Sequence, residues 1–289
     1  MALEWLAWAL ATTAVWGVGT ITAKPMTDRL GARIMFIGAA ATEAITFGIL
    51  GLVLPRTEWS NDPWLIAVAL GAGASSMIGY LMFYEGLRLG TVGVVGTLTA
   101  AYPVVTVGLS VLILQELLSA TQALGVVLMI LCVGILAIEP RSLGTTQTGR
   151  VAILFSTVGF VAWGVWGFLA KVSIAEMGET NLFLYYGIAD GVTALAYFAV
   201  RRPLRVTRDP VPRRVVAITA FTFATGVVGG YTLTIAYALG PAALVSPVSG
   251  TYPIIAALGA GAILHERVGI RVIGALACFA AGIALVPVV

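Results

Sequence analysis

Ten continuous apolar runs fill most of the chain, at about 5–23, 34–54, 64–87, 92–114, 121–138, 151–171, 181–200, 215–238, 242–264 and 269–288. Each approaches the ~20 residues that a helix needs to cross a ~30 Å hydrocarbon layer. They lack the two-residue alternation of membrane barrel strands and run about twice as long as one. The interruptions carry turn chemistry. Lys24-Pro25 is expected to end the first span, Pro55 and Asn61-Asp62-Pro63 bracket the second loop, and Gly90-Thr91 and Gly240-Pro241 make tight turns. One polar stretch, 139–150 (EPRSLGTTQTGR), is the linker between two five-span halves, 1–138 and 151–289. The pattern predicts an all-α, polytopic membrane protein of ten transmembrane helices.

Composition narrows the class. Of the 289 residues, 60% are hydrophobic and 10% charged, against a usual ~25% charged. Such a chain is neither a soluble domain, nor disordered, nor a nucleic-acid binder, although its pI is about 9.0. The N-terminal run lacks the positive flank of a cleavable signal and carries Glu4 there, so it is expected to stay as a membrane helix. His265 is the single histidine, and Cys132 and Cys278 lie inside apolar runs without neighbouring ligand types. No metal site, Ser-His-Asp arrangement or cofactor loop is therefore expected, and an enzyme is disfavoured. The absence of Gly-Lys-Ser/Thr disfavours ATP-driven work.

The halves repeat. AYPVVTVGLSVLILQE, ending at Glu116, matches TYPIIAALGAGAILHE, ending at Glu266, at an offset of 150, as do Leu89-Gly90 and Leu239-Gly240. In the earlier spans the offset is 147: Trp16-Gly17 with Trp163-Gly164, Lys24 with Lys171, and Glu43 with Asp190. A three-residue change between the third and fourth spans accounts for the difference. Because five is odd, the second copy must enter the membrane from the opposite side. The result is an inverted repeat with two nearly equivalent packings, which is what alternating access requires.

The Trp-Gly in span one with Lys at its end, the mid-helix Tyr-Pro of spans four and nine, and the apolar-run, Glu, short-turn, Gly-rich run of both halves resemble the EamA-like branch of the drug/metabolite transporter superfamily. The resemblance covers the chain twice over. It implies a ten-helix secondary transporter of small metabolites, often an exporter, in the cell (plasma or inner) membrane. A non-transporting membrane scaffold or assembly component is the alternative.

Orientation is ambiguous. Loops after odd-numbered spans carry 14 Lys and Arg and the others carry 2, which places both termini outside. The resembled family places them in the cytoplasm. The arginines between 201 and 214 also suit a loop beside anionic head groups.

Candidate substrate-binding residues are Trp16, Glu43, Tyr80, Tyr84, Tyr102, Trp163, Asp190, Tyr231 and Tyr252. Glu43 and Asp190 are mid-span acids, and a charge at that depth costs ~2.5–3.5 kcal/mol. Helical spacing puts Phe36, Ala40, Phe47 and Leu50 on the face of Glu43, and Phe183, Tyr186, Ala194 and Tyr197 on that of Asp190. Such carboxyls can exchange a proton for a cationic group, or carry protons against an exported solute; the alternative is a structural acid held by a neighbouring Thr or Tyr. Trp16 and Trp163 occupy symmetric first spans, with Trp166 close by. Tyr102 and Tyr252 precede prolines that free a carbonyl and so can line a cavity. Pro247 gives span nine a further reason to bend. Tyr80 and Tyr84 are one turn apart, and Tyr231 aligns with Tyr84 at the 147 offset.

Other residues read as structural. Glu116 and Glu266 end spans, with Ser119 as a helix cap. Lys24 and Lys171 are expected to snorkel, or to meet a substrate carboxylate if they turn inward. Gly86/Gly90, Gly226/Gly230 and the Gly274, Cys278, Gly282 stripe fit close helix crossings. The expected solute is amphipathic, an amino acid or an organic cation, since midplane Lys or Arg for a phosphate is lacking. Its partners are the lipid bilayer and, for proton coupling through Glu43 and Asp190, protons.

Overall fold

The computed structural model describes residues 3–55, 62–137, 147–200, 211–264 and 270–286, and every regular element among them is helical. In order these are α1 (Glu4–Leu30), α2 (Ala32–Val53), α3 (Pro63–Leu89), α4 (Val92–Thr99), α5 (Pro103–Ile113), α6 (Ala120–Ala137), α7 (Gln147–Val200), α8 (Arg213–Leu239), α9 (Ala242–Gly250), α10 (Pro253–Leu264) and α11 (Ile270–Leu285). Among the described residues, eight helical stretches are long and apolar enough to cross a membrane, with Val92–Ile113 and Ala242–Gly259 each counted across its break; α11 is a shorter apolar helix. His265, Glu266, Arg56, residues 139–146 of the linker and the arginines at 201–208 lie outside the described residues.

The 54-residue α7 would be ~80 Å long if straight, more than twice the thickness of the hydrocarbon layer. It breaks at Gly178, where φ is +78° and ψ 161°. Gly31, 147 positions earlier, joins α1 to α2 with φ +85° and ψ 150°. Only glycine occupies that backbone region without strain, so both halves turn between their first two helices on the same residue type.

Three turn readings are refined. First, α1 does not end at Lys24-Pro25: Pro25 is inside it, and the helix runs on to Gly31. A helix-interior proline forfeits one carbonyl partner and normally disfavours continuation, but here the positive-φ glycine, not the proline, sets the end. Second, spans four and nine break at the Tyr-Pro pairs. Tyr102 N–H turns back to the Thr99 carbonyl (3.2 Å) and Tyr252 N–H to the Ser249 carbonyl (3.4 Å), three residues away, before Pro103 and Pro253 start the next helices. Third, Pro247 leaves α9 unbroken, so span nine has its interruption where span four does. The turn at 90–91 is as expected: Gly90 closes α3, and the Thr91 hydroxyl accepts from Val94 N–H (3.3 Å) at the start of α4. Ser119 likewise accepts from Gln122 N–H (3.2 Å) at the start of α6.

The main packing partners lie across the halves. α1 runs along α8, α2 and α3 along α7, α6 along α11, and α5 against α9. The largest buried cluster accordingly spans both halves, joining Trp5 and Phe47 to Trp166, Phe183, Tyr186 and Tyr237, whereas a second one, around Met35, Phe36, Met77 and Tyr84, is built almost wholly from the first half. Of the small-residue stripes, Gly282 meets α6 closely, since a Cβ there would stand 2.9 Å from the Gly125 carbonyl and the reverse holds at the same distance. Gly274 faces open space, and Gly226 and Gly230 border a cavity.

Candidate functional site

The contacts between halves come in exchanged pairs. Trp16 Nε1 donates to the Gly226 carbonyl (3.4 Å), and Trp163 Nε1 donates to the Ser76 carbonyl (3.2 Å). Lys24 Nζ donates to the Leu87 carbonyl (2.6 Å), and Lys171 Nζ donates to the Tyr237 carbonyl (2.7 Å). The Tyr102 hydroxyl bonds the Ser249 hydroxyl, and that of Tyr252 lies 3.3 Å from the Thr99 hydroxyl and 3.1 Å from the Gly96 carbonyl. A Cβ on Gly17 would overlap Ile255 and stand 2.8 Å from the Tyr252 carbonyl; one on Gly164 would overlap Val105 and stand 2.9 Å from the Tyr102 carbonyl. In the Trp, Lys and Gly pairs α1 and the start of α7 match at 147, whereas their partners match at 150; in the Tyr pair both members match at 150. Reciprocal contacts of this kind define a two-fold relation between the halves.

The lysines reach backbone carbonyls, and Lys24 also pairs with Asp28 (2.6 Å). They cap the carbonyl ends of α3 and α8, where a cation is favoured by the helix dipole. Glu116 serves the other charge. Its carboxylate accepts from Ala242 N–H (3.0 Å) and Ala243 N–H (2.8 Å), capping α9 of the opposite half rather than the helix that follows it.

Between the paired contacts lies a cavity of about 810 Å³, its solvent-filled mouth included. Trp16, Glu43, Tyr80, Tyr84, Tyr102, Trp163, Asp190 and Tyr252 all line it. Tyr231 is not among the lining residues. It stacks on Phe183 (centroids 5.5 Å apart) and meets Trp8 edge-on at 6.3 Å. The reason is the register: α3 and α8 correspond at 150, so the three-residue change lies before them, and Tyr231 answers to Leu81 rather than to Tyr84. Phe47, Phe83, Trp166 and Tyr186 also line the cavity, as do Ser76, Thr222 and Thr225. Phe47 and Tyr186 share helical faces with the acids in the sequence, but no feature of the sequence singles out Phe83, Thr222 or Thr225.

Glu43 and Asp190 are 5% and 1% exposed and near enough to interact electrostatically. Glu43 Oε1 and the Tyr80 hydroxyl converge on Gly226, where an added Cβ would stand 3.5 and 3.1 Å from them. Asp190 Oδ1 is buried without a hydrogen-bond partner. The aromatic rings form two groups: in one Tyr80 meets Trp163 edge-on (5.5 Å), and in the other Trp16 meets Tyr252 edge-on (6.0 Å) and Trp166 Nε1 donates to the Tyr186 hydroxyl (2.8 Å). No Lys, Arg or His lines the cavity among the described residues. The site is thus a mainly apolar, aromatic chamber with two carboxyls and a few hydroxyls.

The model of the EamA-like transporter family matches the chain twice, over residues 3–138 and 150–287. The chain belongs to the EamA-like transporter family. It is 29% identical over 119 residues to a protein of Bacillus subtilis named as the uncharacterized transporter YwfM, covering 39% of this chain and 40% of that one. It is also 29% identical over 137 residues to an uncharacterized protein of Methanocaldococcus jannaschii, covering 45% of this chain but 93% of that one. The match thus spans well under half of the Bacillus relative, whereas the archaeal one corresponds almost entirely to less than half of this chain. A solved crystal structure shares the fold of this chain at a TM-score of 0.71 and 17% identity, over 99% of this chain and 98% of that one.

Proposed function

We propose that the chain is a secondary transporter that moves a small organic solute across the cell membrane by alternating access, in the direction of export. The two halves, 1–138 and 151–289, act as inverted five-span units. Counting α7 as two spans on either side of Gly178 and α11 as one brings the total to ten. The solute is amphipathic: an amino acid or an organic cation. Glu43 and Asp190 exchange protons with it, and Trp16, Tyr80, Tyr84, Tyr102, Trp163 and Tyr252 enclose it; Tyr231, set behind Phe183, supports that wall from outside.

One observation carries this reading: an aromatic chamber, holding two buried acids, built by reciprocal contacts between two copies of one unit. Two bistable halves around one shared chamber can open it to either side without remaking it. Both termini are placed outside on the charge count, which a reporter fused at the C-terminus reads directly.

The test is flux in liposomes across an imposed pH gradient. Wild type is expected to move solute uphill as protons move down. Glu43→Gln or Asp190→Asn is expected to abolish that pH-driven accumulation without loss of folded protein. Unaltered coupling in both single variants and in the double variant rejects the proton role, and no flux over a broad solute panel rejects transport.

A further inference from the structure

The two acids occupy equivalent positions but differ in their surroundings. Glu43 Oε1 shares the space beside Gly226 with the Tyr80 hydroxyl. At the offset of 150 that relates α3 to α8, the residue answering to Tyr80 is Gly230. Gly230 also lines the cavity, and nothing there can reach a carboxylate as a phenol can. Asp190, correspondingly, is 1% exposed with Oδ1 unpartnered. An orphaned buried carboxylate oxygen is costly, on the order of 1–3 kcal/mol or more for a charged group, and a binding site is one place where such a cost recurs.

The space beside Gly230 has an aromatic wall. A Cβ on Gly230 would stand 3.1 Å from Phe47 Cζ. Phe47 in turn lies 5.8 Å from Tyr186, ring to ring, and Tyr186 is one helical turn before Asp190 on the same face. An unpartnered carboxylate beside ring faces is the arrangement that recognises an organic cation, through an ion pair and cation–π attraction together. A zwitterion or a carboxylic acid finds no Lys, Arg or His among the described lining residues for its anionic end.

We propose that Asp190 is the carboxylate that binds the ammonium group of an aromatic amine, that Gly230 keeps it open for this, and that Tyr80 withholds Glu43 from the same role. The assignment rests on the transport reading above and narrows its substrate class to monovalent organic cations.

Phenethylammonium, phenylalanine and phenylacetate are titrated into the purified protein in detergent, with calorimetry as the readout. Only phenethylammonium is expected to bind. Asp190→Asn is expected to weaken it by about 30-fold or more, as for other truncations of a buried charge pair, and Glu43→Gln by a smaller factor, about threefold. In a Tyr80→Phe background the Glu43→Gln factor is expected to rise, because the phenol no longer occupies that carboxyl. If Asp190→Asn does not fold, Gly230→Ser is measured instead: its hydroxyl is expected to lower amine affinity. Equal losses at the two acids, an unaltered affinity in Asp190→Asn or Gly230→Ser, or equally tight binding of phenylalanine or phenylacetate overturns the assignment. Flux of the same amine in liposomes separates it from its premise. Asp190-dependent binding without flux of any solute rejects transport alone, whereas amine flux that loses equally in both acid variants rejects the Asp190 assignment alone.

Discussion

Where the broken helices cross, Tyr102 reaches Ser249 while Tyr252 reaches Thr99, and a Cβ added at Gly17 or Gly164 would stand 2.8 or 2.9 Å from equivalent backbone carbonyls. In the carboxyl layer the correspondence lapses. Tyr80 answers to Gly230, Tyr84 to Thr234 and Phe47 to Ala194, so a phenol stands at one acid where a glycine stands at the equivalent position of the other. Both regions descend from the same duplicated unit. On the transport reading proposed above, the crossing keeps its two-fold match because both packings of a rocking pair use the same contacts, and the chamber departs from it because a solute is not two-fold symmetric.

That contrast can be broken at three points. The largest effect is expected from Gly17→Ala and Gly164→Ala. Each Cβ would drive into a neighbouring side chain and a backbone carbonyl, so each should lower stability by about 2–3 kcal/mol, in the upper range for overpacking. Unfolding in mixed micelles measures both, and a marked inequality would remove the symmetry claimed for the crossing. Next, Tyr102→Phe and Tyr252→Phe should each cost about 1 kcal/mol by loss of one buried hydrogen bond, again nearly equally, whereas the acid variants differ from one another in amine affinity. The smallest effect is expected at Gly108, where a Cβ meets nothing within 4 Å. Gly108→Ala should stabilise by about 0.5–1 kcal/mol through its helix preference, which calibrates the scale and shows that the losses at 17 and 164 arise from contact rather than from glycine replacement as such.

The sequence made the repeat readable because the residues that grip across the halves are chemically conspicuous: Trp-Gly, Tyr-Pro and a lone acid in an apolar span. Those residues border the cavity, so their positions followed from matching the two copies. Tyr231 was misaligned for a physical reason. An insertion in a loop shifts the offset without leaving a mark in the apolar helices on either side, and only the contacts of Trp16 and Trp163 with α8 and α3 reveal where the shift falls. The extension of α1 past Pro25 was equally hidden, since a proline and a glycine six residues apart both read as stops and only the backbone angles decide between them. The role of Glu116 on α9 joins positions 126 and 127 residues apart, a separation that no local pattern encodes.

The pairing of α1 with α8 has a consequence for how the molecule is made. Trp16 bonds a carbonyl 210 residues further on, and the Thr12 hydroxyl bonds that of Thr232, 220 residues further on, at 2.8 Å. At ~5–20 residues per second of synthesis, the first helix waits on the order of ten to forty seconds for its mate. During that wait Thr12 and Thr13 can turn their hydroxyls onto the carbonyls of Trp8 and Ala9, bonds that persist at 3.1 and 3.0 Å in the finished fold. The nascent chain thus carries provisional partners for its polar groups, and the indole of Trp16, which has none on its own helix, is the group most exposed to a translation stall or to a missing insertion factor.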